Sequence, residues 1–461
     1  MASTKNYNEQ GNIFPLAILI LLLIYLPFLG YVHLFDWDEI NFAECAREMV
    51  ISKNYLSVQI DFKPFFEKPP LFFWFQSFFY HLFGTNEFSA RLPNVVIAIL
   101  LSIYFLHYSL KKYNLKFGII WCTIYHCSIL PFVYNKSGII DPVYNAFCFV
   151  GFFNILEGMS SKKYKYGIYA GILLGLATLT KGPVAPGLVI LSALVFFLFK
   201  YRFELSTHLK FWYRYSILIS LSLLFIVGIW TGVETSRHGT VFILEFFKYQ
   251  IRLLTTSDAG HQQAFYYHII LVLIGCSPSS YLALLSLTIK SKKEININTN
   301  SDMIFGCWIL IVIVLIIFTL VQTKIAHYSS MAYIPISFIA ATFLTYGSVD
   351  KKYIYIFKWH LIFLITLIVT FILAMIYKDQ LILVFKDEFV KQSLTELTTV
   401  GFNWGQIIGL IICGVGFIIL LSKFQKMYHQ LVILALGHVL FMYLILILIL
   451  PKAEEISQKS L

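Results

Sequence analysis

Charge is what this chain has least of. Asp, Glu, Lys and Arg make up only 13% of its 461 residues, while 59% are hydrophobic, a balance that excludes an ordinary soluble globular protein. The long apolar runs hold almost no acids or cations, so the midplane relay expected of an ion-coupled transporter is missing. Cysteine is sparse and unpaired in pattern. Cys122, Cys127, Cys148, Cys276, Cys307 and Cys413 lie in or beside apolar runs, and Cys45 stands alone. Neither a disulfide framework nor a structural zinc is therefore expected. No G-x-G-x-x-G or P-loop run occurs in a βαβ setting, so no nucleotide-binding domain is predicted. The first apolar run, 13–32, has no small-residue cleavage site after it and reads as an uncleaved helix.

What the chain does have is apolar length. Runs of about 17 to 25 residues predict about thirteen membrane-spanning helices, at 13–32, 89–110, 117–134, 140–158, 165–179, 183–199, 213–232, 265–289, 303–321, 326–346, 354–377, 403–422 and 428–450. The expected architecture is an all-α integral membrane protein, with one transmembrane domain over 1–450. The segment 451–461 is expected to be a short outer tail, with no soluble C-terminal domain. The 44 Phe and 29 Tyr suit interfacial belts and lipid-facing surfaces. A net charge of +11 would suit a nucleic-acid binder, but its distribution points elsewhere. Cations crowd short loops on one side, as in Lys111-Lys112, Lys162-Lys163, Lys200 with Arg202, Lys292-Lys293 and Lys351-Lys352. That bias puts the N-terminus in the cytoplasm and leaves membrane lipid, not nucleic acid, as the partner. The opposite, outer loops at 33–88, 233–264 and 378–402 are longer and mix acids, cations, prolines and aromatics. Function is expected on that face.

The first outer loop opens with three carboxylates, Asp36, Asp38 and Glu39. Phe42, Cys45, Ala46, Met49 and Val50 then recur at helical spacing, which predicts an interfacial amphipathic helix headed by Asp38. An acid there also suits the helix dipole, so capping is the alternative role for Asp38. A second apolar stretch, Leu71 to Phe83, is launched by Pro69-Pro70 and is too short to span comfortably. It reads as another interfacial helix. Further polar groups fall at outer ends of spans: Asp141, Lys181, Arg252 and His261, then Lys324, His327 and Tyr328. Singly, a lysine at a span end snorkels and a histidine finds a polar partner. Together they set cations to hold a phosphate against an acid able to deprotonate an acceptor.

Asp38-Glu39-Ile40-Asn41-Phe42-Ala43-Glu44-Cys45-Ala46-Arg47-Glu48-Met49 resembles the Asp-Glu-x-Arg-Tyr-Ala-Glu-x-x-Arg-Glu-Met signature of GT-C membrane glycosyltransferases. Phe66-Glu67-Lys68-Pro69-Pro70-Leu71 and Asn86-Glu87-Phe88-Ser89-Ala90-Arg91-Leu92-Pro93 are similar to further motifs of one group within that family. This group comprises the lipid A aminoarabinose transferases and the bacterial homologues of protein O-mannosyltransferases. Thr180-Lys181-Gly182-Pro183 and Lys324-x-x-His327-Tyr328 match in order, so the resemblance covers most of 33–345.

The resemblance implies a GT-C fold and an inverting glycosyltransferase of the bacterial inner membrane, working at the periplasmic face. A hexose or pentose on polyprenyl (undecaprenyl) phosphate would pass to lipid A, another glycan or a protein hydroxyl. By position Asp38 is then the catalytic acid, with Glu39 beside it. Lys68, Arg252, Lys324 and Tyr328 are donor-phosphate contacts, and Glu67, Asp141, Lys181, His261 and His327 are further active-site candidates. Phe65 stands where relatives have tyrosine, and Phe247-Lys248-Tyr249-Gln250 lacks the histidine they carry before the cation matched by Arg252, leaving His261 as the nearest. A divalent metal is possible in such a site, but no motif here supports one and no metal ligands are assigned. A polytopic lipid or sugar transporter or flippase is the alternative reading.

Overall fold

The computed structural model describes residues 13–35, 38–202, 205–255, 263–288, 297–347, 353–384 and 404–451. Asp36 and His261 lie outside the described residues. In chain order the helices are α1 (Ile13–Tyr25), α2 (Asp38–Ser52), α3 (Leu71–Phe83), α4 (Glu87–Lys112), α5 (Leu115–His126), α6 (Ile129–Asn135), α7 (Asp141–Ser161) and α8 (Lys165–Lys181). They continue as α9 (Val184–Tyr201), α10 (Leu205–His238), α11 (Thr240–Thr255), α12 (Tyr267–Gly275), α13 (Ser279–Ser286) and α14 (Ile297–Leu320). A 3₁₀ turn over Ala326–Ala332 leads into α15 (Tyr333–Tyr346), and α16 (Tyr353–Ile376), α17 (Lys378–Val384), α18 (Trp404–Lys423) and α19 (Met427–Leu444) follow. A two-stranded antiparallel ribbon, β1 (Gln59–Ile60) with β2 (Lys63–Pro64), sits between α2 and α3.

Each of the apolar stretches anticipated as a span overlaps helix, the first only over Ile13–Tyr25 of its expected 13–32. By length and composition, 6 of the described helices can cross a membrane alone, or up to 8 crossings form if each of 2 bent pairs counts as one. Leu115–His126 with Ile129–Asn135 bends by 79°, and Tyr267–Gly275 with Ser279–Ser286 by 103°. A broken span leaves backbone groups without partners in an apolar medium. Here serines meet them: Ser128 Oγ and Ser279 Oγ lie 2.6 Å apart and both donate to the Ile124 carbonyl, at 2.9 and 3.0 Å. The 233–264 segment departs from its expected loop. Arg237, Lys248 and Arg252 interrupt the apolar run without interrupting the helix, so α10 continues to His238 and α11 follows as an amphipathic helix.

The core is aromatic. Phe105 stacks on Trp121 at 3.9 Å between ring centres, and Phe338 packs edge-on to Trp121 at 5.0 Å, joining α4, α5 and α15. Between α8 and α10 the packing is of the opposite kind. Gly167, Gly171 and Gly175, spaced four apart on one face of α8, let α10 approach so closely that a Cβ on Gly171 would lie 2.7 Å from Ser222 Cβ. Small residues at this spacing suit helix association in lipid, where contact rather than water exclusion holds helices together. Gly171→Ile is expected to force the two helices apart at a cost of about 1–3 kcal/mol, read as a lower thermal unfolding midpoint in detergent. An unchanged midpoint would show that α10 does not depend on this close approach.

Candidate active site

Alternate helices bring their ends to one side of the bundle: the starts of α2, α4 and α7 and the ends of α8, α10 and α14. The loop before α2 carries Asp38 to that side and the 3₁₀ turn carries His327. His327 Nε2 lies 3.6 Å from Asp38 Oδ2 and 4.0 Å from Asp141 Oδ2, so one imidazole stands between two carboxylates that are about a hundred residues apart in sequence. Ser330 holds this turn, donating to the His327 carbonyl at 2.5 Å and receiving Asn145 Nδ2 at 2.7 Å.

Asp141 is buried and receives Lys181 Nζ at 2.6 Å. Lys181 is the last residue of α8, where the carbonyl-rich helix end favours a cation. Gly182 follows at φ 108°, a conformation that L side chains rarely adopt, and turns the chain away immediately after the ammonium. The same ammonium lies 5.4 Å from the centre of the Tyr328 ring, a cation–π distance.

Lys68 leads a second group. Pro69-Pro70 fixes the turn before α3, and Lys68 Nζ reaches the Tyr249 hydroxyl on α11 at 2.8 Å. Arg252, one turn further along α11, lies 3.6 Å from Glu67 and 5.2 Å from the Tyr249 ring centre. Burial lowers the Lys68 ammonium's pKa, Asp38 pulls it back up and Lys181 pushes it down again, with Glu67 and Asp141 as weaker raising influences. The two groups therefore share one electrostatic field. Burial, reinforced by Glu67, raises the Tyr249 phenol and keeps it neutral. Phe66, Leu71, Leu179, Trp230 and Phe242 form the apolar floor that fixes α3, α8, α10 and α11 against one another beneath these side chains.

Two residues expected in the site do not join the cluster. The Glu39 carboxylate is 4% exposed and fully engaged: Arg91 Nε and Nη2 reach it at 3.0 and 2.9 Å, and the Phe35 and Gly138 amides donate to it as well. Lys324 caps a helix end, donating to the Thr319 and Val321 carbonyls at 2.8 Å each. His261 is beyond the described residues, as is Asp36. Among the described residues no three His, Cys, Asp or Glu side chains are grouped to hold a metal ion. Conversely, Tyr249 and Arg91 were not anticipated. The only trace of Tyr249 was a Lys-Tyr step in a run that departs from the family pattern, and Arg91 lay unremarked inside a quoted motif.

The family model for dolichyl-phosphate-mannose-protein mannosyltransferase matches residues 67–230. The undecaprenyl phosphate-alpha-4-amino-4-deoxy-L-arabinose arabinosyl transferase of Pectobacterium atrosepticum is 25% identical over 337 residues, which is 72% of this chain and 58% of that protein. Transferase 2 of the same name from Proteus mirabilis is 27% identical over 325 residues, or 68% and 56%. The chain thus spans less than two thirds of the length of these relatives. Its fold superposes on crystal structures of ArnT from Cupriavidus metallidurans. The TM-score is 0.71 against the form bound to undecaprenyl phosphate, at 17% identity, covering 96% of this chain and 78% of that one. Against the apo form it is 0.73, at 16% identity, covering 100% and 78%. The chain is thus similar in sequence to these transferases and shares the fold of the ArnT structures.

The cations of the Lys68 group are placed to meet an anionic head group through charge-assisted bonds. We propose that Lys68 in its charged form receives a lipid phosphate; undecaprenyl phosphate should then bind fully below the lowered pKa of that ammonium. Affinity should then fall as pH rises through that value, before the ordinary lysine range near about 10.4. Lys68→Arg should abolish this alkaline limb. A binding isotherm that stays flat up to the ordinary range in the wild type would remove Lys68 from the site.

Proposed function

We propose that this chain is an inverting glycosyltransferase that takes a sugar from a polyprenyl phosphate donor at the outer face of the bacterial inner membrane. The observation that carries the reading is the convergence of Asp38, Asp141 and His327 with Lys181 and Lys68 at one end of an apolar bundle. Ionised groups beside a membrane are costly unless partnered or used, and here both signs gather within one small site. The relatives are named for undecaprenyl phosphate-linked 4-amino-4-deoxy-L-arabinose, which makes that pentose the first donor to test; lipid A, the first acceptor that the sequence resemblance implies, is the first to test with it.

In this reading Lys68, Arg252 and the Tyr249 hydroxyl receive the donor phosphate, since charge-assisted bonds suit its oxygens. The acceptor oxygen attacks the anomeric carbon as the bond to the phosphate oxygen breaks. Asp38 takes the acceptor proton, and the lipid phosphate leaves with its new charge facing the cations. Stabilising that developing charge is the larger part of the catalysis. A single displacement from the face opposite the phosphate inverts the anomeric centre. His327 orients Asp38 from one side, while Lys181 holds the Asp141 carboxyl in place alongside. The cytoplasmic N-terminus and periplasmic site follow from the cation bias of the short loops. The transporter alternative has little support: the buried histidines pair with neutral groups, His126 with Tyr25 and Ser102, and His360 with Ser277 and His438.

The test is transfer by purified protein from undecaprenyl phosphate-4-amino-4-deoxy-L-arabinose to lipid A, followed by mass spectrometry. Asp38→Asn is expected to lower kcat by roughly 10²–10⁴-fold, the usual contribution of a general base, while still binding undecaprenyl phosphate. Wild-type turnover in Asp38→Asn would reject the assignment of the base. Lipid A left unmodified by the wild-type protein would reject this donor and acceptor pair.

A further inference from the structure

The Glu39 carboxylate touches two separate segments at once. Through its own backbone it belongs to the Asp38 loop, and its Oε1 also accepts the amide of Gly138, three residues before Asp141. Helix α4 supplies the other half of the arrangement. Arg91 grips both Glu39 oxygens and also donates to the Leu29 and Val32 carbonyls at 2.9 and 2.8 Å and to the His33 carbonyl at 2.9 Å. One turn on, Asn94 Nδ2 donates to the Ser137 and Ile139 carbonyls at 2.6 and 2.7 Å. Arg91 thus fixes the chain that delivers Asp38, Asn94 fixes the chain that delivers Asp141, and Glu39 ties the two together. Arg91 and Glu39 are about 5 and 4% exposed and Asn94 is fully buried.

We propose that Arg91, Glu39 and Asn94 form a positioning clamp that sets the separation of Asp38 and Asp141 across His327. The clamp rests on the glycosyltransferase reading only for its catalytic consequence, because the geometry it fixes is a property of the fold. The logic is geometric. His327 serves both aspartates at 3.6 and 4.0 Å, so an error in either loop takes one carboxylate out of reach. The side-chain hydrogen bonds of the three clamp residues go to one another and to backbone around 29–35 and 137–139, and not to Lys68 or Tyr249, so donor-phosphate binding should depend on them far less than turnover does. A planar guanidinium suits the task because its rigid fork holds a carboxylate bidentately while its remaining N–H groups reach other acceptors.

The experiment compares electron cryomicroscopy structures of wild type, Glu39→Gln and Asn94→Ala in nanodiscs, alongside undecaprenyl phosphate binding and turnover. Glu39→Gln keeps the shape of the side chain and loses the ion pair. Asn94→Ala releases only the Asp141 loop. The expected result is a displacement of Asp38 or Asp141 from His327 on the order of 1 Å, with kcat falling by as much as roughly 10²-fold and the Kd for undecaprenyl phosphate within twofold of wild type. A general loss of folded protein would lower kcat and the number of binding sites together, and would not produce this split. Unchanged distances in both variants would overturn the clamp. So would failure of both to fold, which would make the network a scaffold of the bundle and not of the site. If wild type binds undecaprenyl phosphate but transfers no sugar, the functional reading fails while the measured distances still decide the clamp.

Discussion

The ion pair between Glu39 and Arg91 is the interaction on which the polar end of this molecule depends. Both groups are buried, and a buried carboxylate or guanidinium is tolerated only when its remaining hydrogen-bonding capacity is filled. Here the capacity is filled from the backbone. Two amides meet the carboxylate, and three carbonyls meet the guanidinium. Lys136 repeats the device nearby, donating to the Tyr25 and Pro27 carbonyls at 2.8 and 2.7 Å. The stretch from Tyr25 to His33, which leads from an apolar helix toward the first acid cluster, is therefore held mainly by cations reaching back from later parts of the chain.

Around that fixed frame the remaining charges divide by use. Pairs such as Lys112 with Glu157 and Arg47 with Glu44 lie at partly exposed positions, where such contacts add little. The site charges sit deeper and share partners: His327 between two aspartates, Lys181 between Asp141 and Tyr328, and Lys68 against Tyr249 within the field of Asp38. A low-dielectric surround strengthens each of these interactions, which suits the proposed transfer, in which charge moves from an acceptor oxygen to a departing phosphate.

Much of this was legible in the sequence, for identifiable reasons. Helices α2 and α3 start and stop where apolar spacing and the Pro69-Pro70 step place them, because local periodicity is what forms them. Asp38, Asp141, Lys181 and His327 were anticipated individually, and the fold brings them together. Glu39 could not be told from Asp38, since adjacent acids look alike until a partner 52 residues away is seen. Lys324 misled because a cation three residues before His327 reads as a phosphate contact, whereas the end of α14 has unsatisfied carbonyls that take it first. The 233–264 stretch was read as loop because its charges broke the apolar run, although charges on one face of an amphipathic helix do not end it. Tyr249, which joins Lys68 to Arg252, depended on that helix and was missed with it.

The central claim is that the Lys68 group receives a polyprenyl phosphate while Asp38 faces the acceptor. An experimental structure of this protein with undecaprenyl phosphate bound tests it most directly. The expected result is a phosphate within hydrogen-bond reach of Lys68 Nζ, flanked by Arg252, with the Asp38 carboxylate facing the vacant acceptor side. A phosphate seated elsewhere on the bundle, with Lys68 still bonded to Tyr249 and remote from the lipid, would contradict it.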